Sequence, residues 1–145
     1  MKQFEHFPLI EISGGPMVRG LQYGEQAKER IASSIDIYSR SLKDLGLTKD
    51  QALELANSFV SKIADWAPDL VDEMKGIAKG ASVSLGEIML INARTEILQL
   101  AERGEGFIDN NADGCTGAII MPKLSINGEI IHGQNWDWNE ECIDN

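Results

Sequence analysis

Residues 116–138 run Thr116-Gly117-Ala118-Ile119-Ile120-Met121-Pro122-Lys123-Leu124-Ser125-Ile126, then Asn127-Gly128, then Glu129-Ile130-Ile131-His132-Gly133-Gln134-Asn135-Trp136-Asp137-Trp138. Two β-rich runs flank a dipeptide whose members both tolerate positive φ, the strongest short signal for a β-hairpin. Pro122 has no N–H to give a ladder, so it predicts a bulge or an edge position. Because the residues upstream read as helix, this hairpin makes the fold class α+β.

Working outward, Leu9 to Ser13 alternate apolar and polar residues and suit a short strand ended by Gly14-Gly15. Pro16 then opens a helix whose apolar positions Val18, Leu21, Ile31, Ile35, Tyr38, Leu42 and Leu45 lead to a cap at Gly46, predicting one helix of six or more turns. Thr48 with Gln51, and Ser84 with Glu87, are capping boxes that start two more helices, one to about Trp66 and one through Ile88, Ile91, Arg94 and Leu98. Between them Pro68 opens a helix ending near Gly80. Gly20 and Gly24 have the spacing that lets two helices approach closely. From Glu102 to Asp113, Gly, Asp and Asn predict an exposed, mobile connection. The expectation is a block of about four helices over residues 1–114, then a hairpin within 115–145. Two strands alone are marginal in water, so the chain is read as a piece that stops where a sheet begins.

Composition narrows the partners. With 23 acidic against 13 basic residues and a net charge of −10, no basic stripe is present to neutralise phosphates or anionic lipid. Nucleic acid and membranes are therefore not expected partners. No apolar stretch approaches the roughly 20 residues that span a bilayer, and no secretory pattern opens the chain, which predicts a cytoplasmic protein. Two cysteines, Cys115 and Cys142, are too few for a disulfide framework, and no histidine-rich context suggests a metal site.

Cys115 follows Asp113-Gly114 at a loop-to-strand boundary. Gly114 leaves its carbonyl open to the adjacent thiol. An N-to-S acyl shift followed by hydrolysis would free Cys115 as a new N-terminus, whose α-amine then serves as the thiol's base. The plain alternative is a structural cysteine at a strand start. On the returning strand Asn135 and Asp137 come back towards Cys115, where a carboxylate can hold the α-ammonium and an amide can donate to an acyl oxygen. Solvated strand-end polar residues are the plain reading there.

Asp113-Gly114-Cys115-Thr116 and Gly133-Gln134-Asn135-Trp136-Asp137, preceded by Gly76 to Ala81, Asn92 to Glu96 and the Gly15-Pro16, Gly20, Gly24 opening, together resemble the acyl-CoA:6-aminopenicillanic acid acyltransferase (isopenicillin N acyltransferase) family. These are self-processing cysteine N-terminal-nucleophile (Ntn) hydrolases, also classed as C45-type peptidases. The pattern is similar, too, to acid ceramidase-like amidases. The resemblance implies cleavage between Gly114 and Cys115, Cys115 as nucleophile and Asp137 as supporting acid; Asn135 is a candidate support from its place on the returning strand. It implies a helical pro-region over 1–114 and the start of the catalytic chain at 115–145, opening an αββα sandwich whose remaining strands would come from a further C-terminal chain. The substrate implied is a small acyl amide or acyl thioester, with no cofactor and with acyl-CoA open as co-substrate. From another class, the chain could be a catalytically dead helical module for folding or interaction.

Overall fold

The structure, a computed structural model, describes residues 8–105, 115–135 and 140–142. These fall in two compact units, one helical and one a hairpin. Among the described residues the helical unit has six α-helices: α1 Pro16–Gln26, α2 Lys28–Asp44, α3 Lys49–Trp66, α4 Pro68–Ala81, α5 Leu85–Asn92 and α6 Arg94–Glu105. The fold class is α+β, mostly helical with a C-terminal antiparallel hairpin.

Both capping boxes form. Thr48 and Ser84 accept the N3 backbone N–H of Gln51 and Glu87, and those side chains return to the cap N–H groups. Each box satisfies two N–H groups that a helix start would otherwise leave without partners. The second box extends into an ion pair, Lys49 Nζ to Glu87 Oε1 at 2.9 Å, which ties the start of α3 to the start of α5. The Ser84 backbone N–H, then Lys49, hold the Glu87 carboxyl below the usual carboxylate range.

The long first helix is two helices, broken at Ala27, whose φ of −103° and ψ of 12° leave the helical region. The break is shallow, since Ala27 N–H still bonds the Tyr23 carbonyl and Ile31 N–H the Ala27 carbonyl. The last helix divides in the same way at Ala93. Alanine favours continuous helix, so both breaks are imposed by packing: α1 lies along α4, while Ile31, Ile35 and Leu42 of α2 enter the core built around α5. At its far end α6 runs on to Glu105, so the first residues assigned from composition to a connection are helical.

The segment before Gly14 is not a strand. Side-chain amides of α1 hold its backbone instead, with Ser13 N–H donating to Gln22 Oε1 at 2.8 Å and Gln26 Nε2 donating to the Glu11 carbonyl at 3.0 Å. An extended segment whose polar groups are satisfied by one helix has no need of a sheet.

Two glycine pairs set the α1–α4 contact. A Cβ at Gly20 would lie 2.0 Å from the Glu73 carbonyl oxygen, and at Gly24 2.3 Å from that of Ile77. Reciprocally, a Cβ at Gly76 would meet the Met17 carbonyl oxygen at 2.3 Å and one at Gly80 that of Leu21 at 2.3 Å. The helices are parallel, with Gly20 beside Gly76 and Gly24 beside Gly80. Arg19 and Glu73 close the seam with an ion pair. Because Gly80 serves this contact, Ser82 is the residue that ends α4 in the left-handed conformation, at φ 61°. The core centres on α5, whose Ile88, Met89 and Leu90 are buried and meet Leu42 and Ile97. A helix apolar on nearly every side is one enclosed by others.

In the hairpin, β1 (Thr116–Ile120) pairs antiparallel with β2 (Ile131–Asn135), Thr116 opposite Asn135 and Ile120 opposite Ile131. The strands are shorter than the β-rich runs, because Pro122–Leu124 turn into a 3-10 helix in place of a bulge. The chain reverses through Ser125 to Gly128, with Gly128 N–H bonding the Ser125 carbonyl at 3.3 Å. Of the Asn127-Gly128 pair only Gly128 takes positive φ, 68°, so the tight two-residue turn is replaced by a wider connection. That moves the register by an even number of residues and leaves each side chain on its expected face.

Candidate functional site

Cys115 immediately precedes β1 and is exposed. The ladder pairs its neighbour Thr116 with Asn135, the last residue of β2. The returning strand therefore does come back to the Cys115 end of the hairpin. Gly114 and Asp137 lie outside the described residues.

Strand alternation divides the hairpin into two faces. Thr116, Ala118 and Ile120 share one with Asn135, Gly133 and Ile131. Gly117 and Ile119 share the other with Gln134 and His132, and Cys115, two residues before Gly117, has the same parity one residue ahead of the ladder. Asn135 thus pairs with the residue next to Cys115 and shares the face of Thr116.

His132 is the residue that sequence reasoning passed over. Its Cα partner is Ile119, yet its imidazole leans along the face, and Nε2 lies 3.9 Å from where a Cβ on Gly117 would sit. The lean is towards the Cys115 end and crosses the one position on that face of β1 that has no side chain. The signal available in the sequence was the shared parity of 115, 117 and 119 opposite 132 and 134, once a register was fixed.

Cys142 sits half-buried in the 3-10 turn Glu140–Cys142, and neither cysteine is in a disulfide. On α6, Glu96 is exposed, whereas Arg94 is half-buried, stacks its guanidinium 5.4 Å from the Tyr38 ring centroid and donates to the Ile91 carbonyl at 3.0 Å. Arg94 therefore helps hold the start of α6 against α2.

Among the described residues, no three His, Cys, Asp or Glu side chains are grouped so as to hold a metal. No helix among them is long and apolar enough to cross a membrane. A recess of about 300 Å³ in the helical unit, lined mainly by Ile10, Tyr23, Ile31, Ile77, Ile88 and Ile91, brings together no thiol, imidazole or carboxylate. Among the described residues the thiols and the imidazole all lie in the hairpin unit.

No family model matches the chain. It is similar to the acyl-coenzyme A:6-aminopenicillanic-acid-acyltransferase 40 kDa form of Emericella nidulans, with 30% identity over an alignment of 134 residues that covers 89% of this chain. The aligned stretch is 33% of that relative, so the chain spans about a third of the length of the curated relative it matches. The similarity supports that acyltransferase family.

Proposed function

We propose that the chain carries the nucleophile of a self-processing cysteine enzyme of the Ntn type, which cleaves or transfers acyl groups at amide bonds through a thioester on Cys115. The observation that carries this is an exposed Cys115 at the head of β1, with the returning strand ending beside it, in a chain similar to an acyltransferase along most of its length. In this reading residues 1–114 are the helical pro-region and Cys115 starts the catalytic chain. The thiol attacks an acyl carbonyl, the thioester forms, and water or an amine takes the acyl group. Asp137 would hold the α-ammonium freed by cleavage at Gly114–Cys115, and Asn135 would support the site from the neighbouring position.

Among the described residues the hairpin strands are exposed throughout and no enclosed oxyanion site surrounds Cys115. The Gly114–Cys115 bond is accordingly expected to stay intact here, and acylation is the half-reaction to test. Incubated with a small acyl thioester, the chain should acquire a hydroxylamine-labile acyl group at Cys115, seen by mass spectrometry. Cys115→Ala should abolish it, Cys142→Ala should leave it unchanged, and Cys115→Ser should slow it severely, a hydroxyl being the weaker nucleophile. Acylation confined to Cys142, or undiminished in Cys115→Ala, refutes the assignment and favours an inactive helical module.

A further inference from the structure

While the Gly114–Cys115 peptide bond is intact the nitrogen of Cys115 is an amide, and it cannot take the thiol's proton. The α-amine that serves as base in a processed N-terminal nucleophile does not yet exist, so another group must do so. The titratable side chains of residues 116–135 are Lys123, Glu129 and His132. Lys123 and Glu129 lie in the connection at the end of the hairpin remote from Cys115, and Glu141 lies beyond β2 in the 3-10 turn. His132 is in the strand, on the face of Gly117, which is two residues from Cys115.

We infer that His132 is the proton acceptor of the Cys115 thiol in the unprocessed chain. The inference rests on the reading of Cys115 as an acyl-accepting nucleophile. Geometry selects the imidazole: its Nε2 is 3.9 Å from the Cβ position of Gly117, one same-face step from Cys115. Same-face neighbours along a strand are about 6.5–7 Å apart, so rotation of the exposed thiol or one bridging water spans the remainder. Gly117 is the permissive element. A Cβ there would be in ordinary contact with the ring, and a branched side chain would occupy the space the ring leans across.

The step balances without any oxidant or metal. The Sγ proton passes to Nε2 and the sulfur electron pair forms a bond to the acyl carbon of a thioester donor. As the carbon–sulfur bond to the leaving thiol breaks, the imidazolium returns the proton to that thiol. The same transfer applied to the Gly114 carbonyl would start self-cleavage, with the proton delivered to the departing amide nitrogen.

The test uses the full 145-residue chain with Cys142→Ala, so that one thiol remains. The rate of alkylation of Cys115 by iodoacetamide at neutral pH is compared across variants. His132→Gln should slow it at least about tenfold, a positioned base contributing about 100-fold or more in an enclosed site. Gly117→Val, which keeps the histidine, should slow it likewise, while Ile131→Val on the other face should not. In the parent chain the ring-proton resonances of His132 should move when Cys115 is alkylated, a signature a merely structural histidine would not give. Alkylation of His132→Gln at the parent rate, with His132 resonances indifferent to Cys115, overturns the inference. The underlying reading fails separately: fast His132-dependent alkylation without any acylation by thioesters would leave the thiol–imidazole pair standing and remove acyl transfer.

Discussion

Glycine has opposite meanings in the two units. In the α1–α4 seam the hydrogen of Gly20 is the largest substituent that fits, because a Cβ would reach 2.0 Å from the Glu73 carbonyl oxygen. In the hairpin nothing lies within 4 Å of a Cβ on Gly133, and Gly117 has only ordinary contacts, the nearest being His132. One set allows two backbones to touch; the other leaves room beside a reactive side chain. The same contrast runs through the apolar residues, since Met89 and Leu90 are 0% and 1% exposed while Ile119 and Ile131 are 65% and 51% exposed. The helical unit has its own core, and the hairpin presents chemistry on strands that bury none of their residues.

The contrast is sharpest for a core truncation. Met89→Ala should cost the helical unit about 2–5 kcal/mol through lost burial and a residual cavity, whereas Ile131→Ala should leave its urea midpoint unmoved. Helical circular dichroism against urea measures both, and equal losses would show the two units to be one cooperative structure. Next in size, Gly20→Ala should destabilise the helical unit by about 1–3 kcal/mol, the usual cost of overpacking. Gly133→Ala should change its stability by less than about 0.5 kcal/mol. A tolerated Gly20→Ala would mean that α1 can move off α4 at little cost.

The smallest effect is electrostatic. The folded-state pKa of Glu87 is depressed, so its contribution is fully present above the unfolded value and is lost as pH falls through the folded one. Lys49 has the opposite sign: its pKa is raised, and its contribution fades only in alkali. The difference in stability between the parent chain and Glu87→Gln should therefore be about 0.3–1 kcal/mol at neutral pH and should vanish in acid, once the pH is below the depressed folded pKa of Glu87. Gln can still close the capping box, so Glu87→Ala should cost more. A difference that persists unchanged into acid would show that the carboxylate charge contributes nothing.

Local signals were the legible ones. Thr48 with Gln51 and Ser84 with Glu87 announced two helix starts because a cap is a contact among four consecutive residues. The breaks at Ala27 and Ala93 could not be read, since each falls on a strong helix former and answers to helices distant in sequence. Gly80 looked like a terminator and is an interhelical contact instead, which displaced the cap to Ser82. At the candidate site, alternation alone brought Asn135 back to Cys115. The lean of His132 over Gly117 needed coordinates, because a ring's direction depends on a neighbour's missing side chain.

The parallel seam bears on the order in which the protein can fold. Arg19 and Glu73 are 54 residues apart in sequence, and parallel helices cannot be joined by a short turn. The chain must travel out and back through α2 and α3 before the glycines of α1 find those of α4. Closing so long a loop costs entropy that only the finished contact returns. The capping boxes, by contrast, form within single turns. On this account α1, although it precedes the other five helices in sequence, is among the last of them to find its place, and in the interval its glycine face waits exposed.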